Sequence, residues 1–444
     1  MVTHKDELKH RVCEAIDAQR QRIIDLGQMI LKNPEVGFKE RQTAKLVADT
    51  LRELSLLPQE GLALTGVKAV ARGRAAGPTV AVMGELDALI NYEFPFANPE
   101  TGAAHCCGHN AQIASMLGAA LGLFGAGALT HLAGNVAFMA VPAEEFIEIE
   151  YRLNLRRQGK IEFLGGKQEL IRLGAFDDID MAMITHSAPV QDGIKMGIGG
   201  TGLSFVAKHV QYIGKTAHAA LAPHDAVNAL NAAMVGLMAI HAQRETFRED
   251  ENVRIHPIIT RGGDVVNAVP DDVTIETYVR ASTTDALLSA NEKVDRALNA
   301  GAMALGAQVC IKNVPGYLPI LNDPQLAVLF KANGVSLVGE DAFTGPWDKI
   351  EGVSGDIGDV GHIMPALISF YPGWKGQAHT SGYVIEDEEI AYILPAKALG
   401  MTVVDLLWDE AETARSLLDS YVPPMTKEEY LAFLRTLFEE SVFP

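Results

Sequence analysis

Three short, almost purely apolar runs constrain this chain most, because each is followed at once by side chains that can do chemistry. Residues 79–83 (TVAVM) lead into Gly84, Glu85 and Asp87; residues 135–141 lead into Glu144 and Glu145; residues 181–184 lead into His186. Runs of this length and make-up are those of parallel strands covered on both faces. Polar groups just past the carboxyl ends of such strands stand where an open α/β sheet places its active site. The pattern predicts an α/β catalytic domain with one site fed by several strands.

Between the first two runs lies His105-Cys106-Cys107-Gly108-His109-Asn110, opening a helix expected over 111–124. Thiolate, imidazole and carboxylate are the groups that hold zinc-like divalent metals. A single glycine separates Cys107 from His109, so one turn can aim both at one ion. The adjacent Glu144 and Glu145 suggest a division of labour, one binding metal and the other moving protons.

At 444 residues the chain exceeds one compact core, and two domains are expected. A formal net charge of −19 argues against nucleic-acid and anionic-membrane partners. No apolar run looks long and clean enough to cross a bilayer. The first residues lack the apolar core of a signal peptide, and Lys5-Asp6-Glu7-Leu8 is a retention-like string at the wrong terminus. Cys13, Cys106, Cys107 and Cys310 make no disulfide framework in a protein of this size. The expectation is a soluble protein of the cytoplasm.

Helical periodicity covers 7–31 and 40–56, and a closing helix is expected from about 387 to 408. The character changes near residue 199. An alternating strand (202–212), a helix (224–242), strands at 253–260 and 271–281, a helix (284–304) and a strand (306–313) form a β-α-β-β-α-β unit. The expected domains are a discontinuous catalytic domain, 1–198 with 315–444, and an inserted two-layer α+β domain, 199–314. The inserted domain is expected to act as a lid and dimerisation surface, with a free edge near 202–212 or 219–223. The tail, 409–444, reads as helical.

Two glycine-rich stretches mimic known motifs. Gly197-Ile198-Gly199-Gly200-Thr201-Gly202 has dinucleotide-motif spacing but opens a strand, so it reads as the hinge into the inserted domain. Glu351-Gly352-Val353-Ser354-Gly355-Asp356 lacks the G-x-S-x-G elbow and reads as a loop. His362 reads as a strand-end histidine.

With these features in place, the chain resembles the aminoacylase-like zinc peptidase family. The nearest branch holds hippurate hydrolase, auxin-conjugate hydrolase, p-aminobenzoyl-glutamate hydrolase and the aminoacylase-like dipeptidases. The resemblance spans roughly 8–410 and includes Asn33-Pro34-Glu35-Val36-Gly37-Phe38, Gly214-Lys215-Thr216-Ala217-His218-Ala219-Ala220, Asn267-Ala268-Val269-Pro270-Asp271 before Arg280, and Gln377-Ala378-His379-Thr380. It implies metal ligands Cys107, His109, Glu145, His186 and His379, with Glu144 as general base. It implies that Asp87 orients a metal-binding side chain, that His218 stabilises the oxyanion from the lid, and that Arg280 and Asn267 contact substrate, Arg280 through its carboxylate. A structural ion pair is the other reading of Arg280. The implied cofactor is Zn2+ or Mn2+, one or two per subunit, in a homodimer or higher oligomer.

Three features depart from the family pattern. Asn110 stands where aspartate is common in the branch. Insertions at 90–104, with Tyr92, Phe94 and Phe96, and at 148–167 both begin beside presumed site residues. They either reshape the pocket or decorate the surface.

The implied activity is hydrolysis of a small N-acyl or N-aroyl amino acid or dipeptide. Hydrolytic deamination of an aromatic amine is the alternative on the same scaffold, with Tyr371 and Trp374 near His379 suited to a flat ring. A cysteine hydrolase using Cys106 or Cys107 and an inactive metal-binding scaffold are rivals from other classes.

Overall fold

The computed structural model describes residues 3–444. Four parallel strands form the centre of a nine-stranded sheet, in the order Ala133–Val141, Ala75–Glu85, Met181–Pro189 and Ala366–Lys375. The three apolar runs are the first three of these, side by side, so their carboxyl ends emerge on one edge. Side chains alternate across a strand. Val80 and Val82 therefore enter a core shared with Ile113, Leu117 and Val403. Ala81 and Met83 face the opposite way, with Leu170 and Ile171.

The first core lies under helices His4–Ala18, Arg20–Lys32, His109–Gly125 and Leu394–Leu407. The segment Glu389–Leu407 corrects one expectation, since it is long and apolar enough to cross a membrane by length and composition. It is wholly buried between the sheet and the amino-terminal helices, and a helix covered on every side is apolar all round.

A second, antiparallel sheet runs Arg254–Ile255, Asp272–Ala281, Ser204–Ile213, Gln308–Pro315 and Glu439–Phe443, with Ile258–Arg261 also paired to Asp272–Ala281. Strand Asp272–Ala281 alternates strictly, turning Val273, Ile275 and Val279 toward helices Ala229–Ala242 and Thr284–Leu305. The β-α-β-β-α-β order is present, and two details differ. Strand 202–212, expected as a free edge, is central, hydrogen-bonded on both sides. The free edge is instead Ile258–Arg261, and 219–223 is a turn, not a strand. The tail is not wholly helical: after Lys427–Leu437 it ends in Glu439–Phe443, which pairs with Gln308–Pro315 and covers the other edge. Residues 439–443 thus belong to the second sheet.

Insertion 148–167 is not surface decoration. It forms helix Ile149–Arg157 and enters helix Gly166–Arg172, burying Arg152 and Lys167 completely. Insertion 90–104 is a hairpin on the short pair Leu89–Ile90 and Ala103–Ala104.

Candidate metal centre

Each strand end delivers its side chain through a specific backbone device. Gly108 caps helix His109–Gly125 in the left-handed region (φ 88°), and a Cβ there would stand 2.5 Å from the Ser187 Cβ. Only glycine lets the chain turn this tightly against the next strand, and that turn places Cys107 and His109 on one side. Ala143, also left-handed (φ 53°), redirects the chain at Glu144 and Glu145, and its amide donates to the Glu40 carboxylate (2.8 Å). His379 is left-handed too (φ 68°); its amide donates to the Cys106 carbonyl (2.8 Å) and its carbonyl accepts from Asn91 Nδ2 (3.3 Å).

These turns converge. Ligand atoms of Cys107, His109 and His186 lie within 4.8 Å of one another, as do those of Cys107, Glu145 and His379. Cys107 is common to both groups. Cys107 Sγ is 3.4 Å from His186 Nε2, and Glu145 Oε1 is 3.7 Å from His379 Nε2. Every candidate ligand that the resemblance implied is brought to this one place.

Hydrogen bonds orient the rings. His109 Nδ1 lies 2.9 Å from the Asp87 carbonyl oxygen, and His186 Nδ1 lies 2.8 Å from that of Ser187. A carbonyl only accepts, so both Nδ1 atoms carry a proton and both Nε2 atoms face inward, free to bind a metal once unprotonated. Asp87 also accepts from the Glu145 amide (2.9 Å), holding two site elements at once. Ser187 Oγ donates to the Cys107 carbonyl (2.6 Å) and accepts from Tyr383 (2.8 Å).

The chemistry of this cluster is incomplete without a cation. His109 Nε2, Glu145 Oε1, Asp87 Oδ1 and Glu85 Oε2 are buried without hydrogen-bond partners. Glu85, Asp87, Glu144, Glu145 and Asp356 crowd the same region, and Lys167 bonds two of them, Glu85 and Asp356. Buried charges need compensation. Burial, with Glu85, Glu145 and Asp356 nearby, pushes Glu144 well above the usual carboxylate range. Burial also raises Glu145 to about 7. The donor set, the inward Nε2 atoms and the surplus of acid all fit divalent metal.

Other expected residues lie elsewhere. Arg280, from the second sheet, packs over the Phe205 and Tyr278 rings, with its centre 5.6 and 5.5 Å from theirs. Its Nη1 is 3.4 Å from Ser354 Oγ, and among the described residues no carboxylate pairs with it. His218 and Asn267 sit together on an exposed corner of the second domain, joined by a bridge from His218 to Ala268, and none of their hydrogen bonds reaches the cluster. Tyr371 and Trp374 are core residues, Trp374 stacked on Tyr383, and they line only a small void behind Gly108 and His186. Tyr92 and Phe96 remain exposed on the hairpin. Cys106 is packed, fully buried with Leu31, Phe94 and Ala104. His362 closes a short helix, not a strand, its Nδ1 2.8 Å from the Gly358 carbonyl oxygen.

His105 is buried with neither ring nitrogen hydrogen-bonded, and burial lowers its pKa to about 3. An unfolded chain binds this proton below about 6.5, so its contribution to stability is lost as pH falls from about 6.5 through about 3. Urea unfolding of metal-free protein at pH 7, 5 and 4 should show a steeper loss in wild type than in His105→Gln. Equal slopes would contradict the assignment.

Thiol, imidazole and carboxylate groups gathered at the carboxyl edge of a parallel sheet, with a further buried glutamate beside them, form the kind of donor set that a metal-dependent hydrolase of the α/β class uses. Comparison with known proteins extends this. A peptidase dimerisation domain model matches residues 205–304. The chain is 29% identical to the Xaa-Arg dipeptidase of Mus musculus over 91% of this chain and 90% of the relative. It is 26% identical to an N-acyl-L-amino acid amidohydrolase of Geobacillus stearothermophilus, over 74% and 86%. A dinuclear metal-binding peptidase of the M20 family from Bacillus subtilis shares the fold, with a TM-score of 0.63 at 22% identity, covering 88% of this chain and 99% of that one. Over most of its length the chain is similar to dipeptidases and amidohydrolases, and residues 205–304 match the peptidase dimerisation domain.

Proposed function

We propose that this chain is a divalent-metal-dependent amidohydrolase that cleaves a small N-acyl or N-aroyl amino acid or a dipeptide. The observation that carries the reading is the shared thiol: Cys107 belongs to both ligand groups, with Glu144 beside them. Cys107, His109 and His186 would hold one ion and Cys107, Glu145 and His379 a second. Bound metal supplies a water of lowered pKa and a Lewis-acid pull on the substrate carbonyl. Sulfur favours zinc, while imidazole and carboxylate serve manganese as well.

Glu144 is the proton shuttle. Its backbone carbonyl accepts from the buried Tyr317 hydroxyl, and its carboxylate faces Gly355, where a side chain would crowd it. It takes a proton from the attacking water and delivers it to the amide nitrogen as the C–N bond breaks, leaving a carboxylate and an amine.

Arg280, a cation without an acidic partner, would receive the substrate carboxylate. Arg280→Met should lower kcat/KM for carboxylate-bearing substrates by the equivalent of about 2–5 kcal/mol, mostly through KM. Carboxamide-capped analogues should lose little. Equal losses on both substrate types would remove Arg280 from this role.

The second domain would pair with a second copy. Met234, Val235 and Met238 on helix Ala229–Ala242, and Ile258 and Ile259 on the free edge, are exposed apolar residues of this domain. An isologous pairing covers both edge and helix. The exposed His218–Asn267 corner would then serve the partner's site, His218 holding the oxyanion. Sedimentation should find a dimer, and His218→Ala should lower kcat with metal content unchanged. A monomer with unchanged rate would sink the lid role. The four cysteines, all free, suit a reducing cytoplasm.

A panel of N-acyl amino acids, dipeptides and aminobenzoates tests the reaction class. The expected result is amine and carboxylate from an amide. Ammonia from an aromatic amine would establish the deaminase instead, and no turnover with metal bound would favour an inactive scaffold.

A further inference from the structure

Glu85 ends strand Ala75–Glu85 and is 3% exposed, yet the five metal ligands leave it without a task. Its Oε1 accepts from Lys167 Nζ (2.6 Å), and its Oε2 faces His109 Nε2 at 3.1 Å. His109 Nδ1 donates to the Asp87 carbonyl, so Nε2 is the ring nitrogen turned toward Glu85. The two atoms oppose each other across 3.1 Å, buried, and neither makes a hydrogen bond. A cation bound by His109 Nε2 in the loaded centre would lie within reach of Glu85 Oε2 as well. Ligand atoms of Glu85, His109 and Glu144 also lie within 4.8 Å of one another.

Lys167 explains why Glu85 keeps this orientation. It is fully buried at the start of helix Gly166–Arg172, delivered there by the insertion beyond Glu145. Its ammonium bonds both Glu85 and Asp356, and its amide donates to the second Asp356 oxygen (2.8 Å). One Glu85 oxygen is thus occupied and the other aimed.

We propose that Glu85 is a sixth protein side chain of the metal centre, facing the ion position beside His109, and that Lys167 and Asp356 are the positioning residues that hold it there. The inference rests on the metal centre assigned under the proposed function. Its consequence is chemical: the His109 ion gains a hard oxygen donor besides thiolate and imidazole, which widens that position toward manganese-like ions.

The test is titration of metal-free full-length protein with Co2+ and Zn2+, following visible absorption and binding by calorimetry. Glu85→Gln should weaken one equivalent about tenfold or more and change the Co2+ spectrum, while the other equivalent stays near wild type. Lys167→Met should change the same equivalent. Glu85→Asp keeps the charge and shortens the reach, so it should retain two equivalents with a shifted spectrum, and it carries the test where Glu85→Gln does not fold. Wild-type affinity and spectrum in the folded Glu85 variants would overturn the inference alone. A wild-type protein that binds neither ion would overturn the metal centre itself.

Discussion

Glu144→Gln is expected to lower turnover about 10²- to 10⁴-fold with bound metal near wild-type content. The adjacent change, Glu145→Gln, should lose metal. The two carboxylates share a strand end and both are buried, so burial does not separate them. Their surroundings do. Glu145 Oε1 lies with Cys107 and His379 in one ligand group, and its amide is fixed by Asp87. Glu144 lies 3.7 Å from His109 Nε2 and faces the loop at Gly355, the side from which Arg280 approaches through Ser354. Glutamine keeps the size of glutamate but gives up its basicity, so only proton transfer suffers at 144, while charge needed by a cation is lost at 145. Comparable metal loss in both variants would contradict this division.

Cys107→Ser should weaken both metal equivalents, about a hundredfold or more, because Cys107 is the atom the two ligand groups share. A hydroxyl is a far poorer ligand than a thiolate near neutral pH, and among the described residues no other side chain belongs to both groups. Cys106→Ala should leave metal binding intact and cost about 1 kcal/mol of stability, since Cys106 packs against Leu31 and Phe94. The left-handed Gly108 turn fixes which cysteine faces inward. Metal loss in Cys106→Ala with Cys107→Ser unaffected would show the register displaced by one residue.

Much of this centre is legible in the chain because parallel strands buried on both faces read as apolar runs, and the polar residues at their carboxyl ends are then conspicuous. Glu144, Glu145 and His186 emerge from that, and Cys107 and His109 from their spacing around Gly108, whereas the family resemblance supplied His379 and which of the two glutamates binds metal. Lys167 and Asp356 are illegible for a physical reason. Their burial depends on pairing between segments 189 residues apart, and a lone lysine or a Gly-rich loop carries no local sign of it. Strand order is hidden likewise: residues 204–213 look the same whether they lie at an edge or at the centre, and only pairing with both neighbours decides. The closing strand Glu439–Phe443 is short and opens on two glutamates, so its sequence resembles a solvated tail. Tyr371 and Trp374 illustrate the opposite error, since nearness to His379 along the chain placed them in a pocket and the sheet placed them in the core.

The most direct measurement is a paired titration of metal-free protein with Zn2+ or Mn2+, in which bound ion and hydrolysis of an N-acyl amino acid or dipeptide are followed in the same samples. A centre built on the shared Cys107 predicts two ions per chain, activity that rises with them and collapses with chelator, and one carboxylate plus one amine released per turnover. Activity that survives complete metal removal, or that is abolished by alkylating Cys106 while metal remains bound, would contradict it.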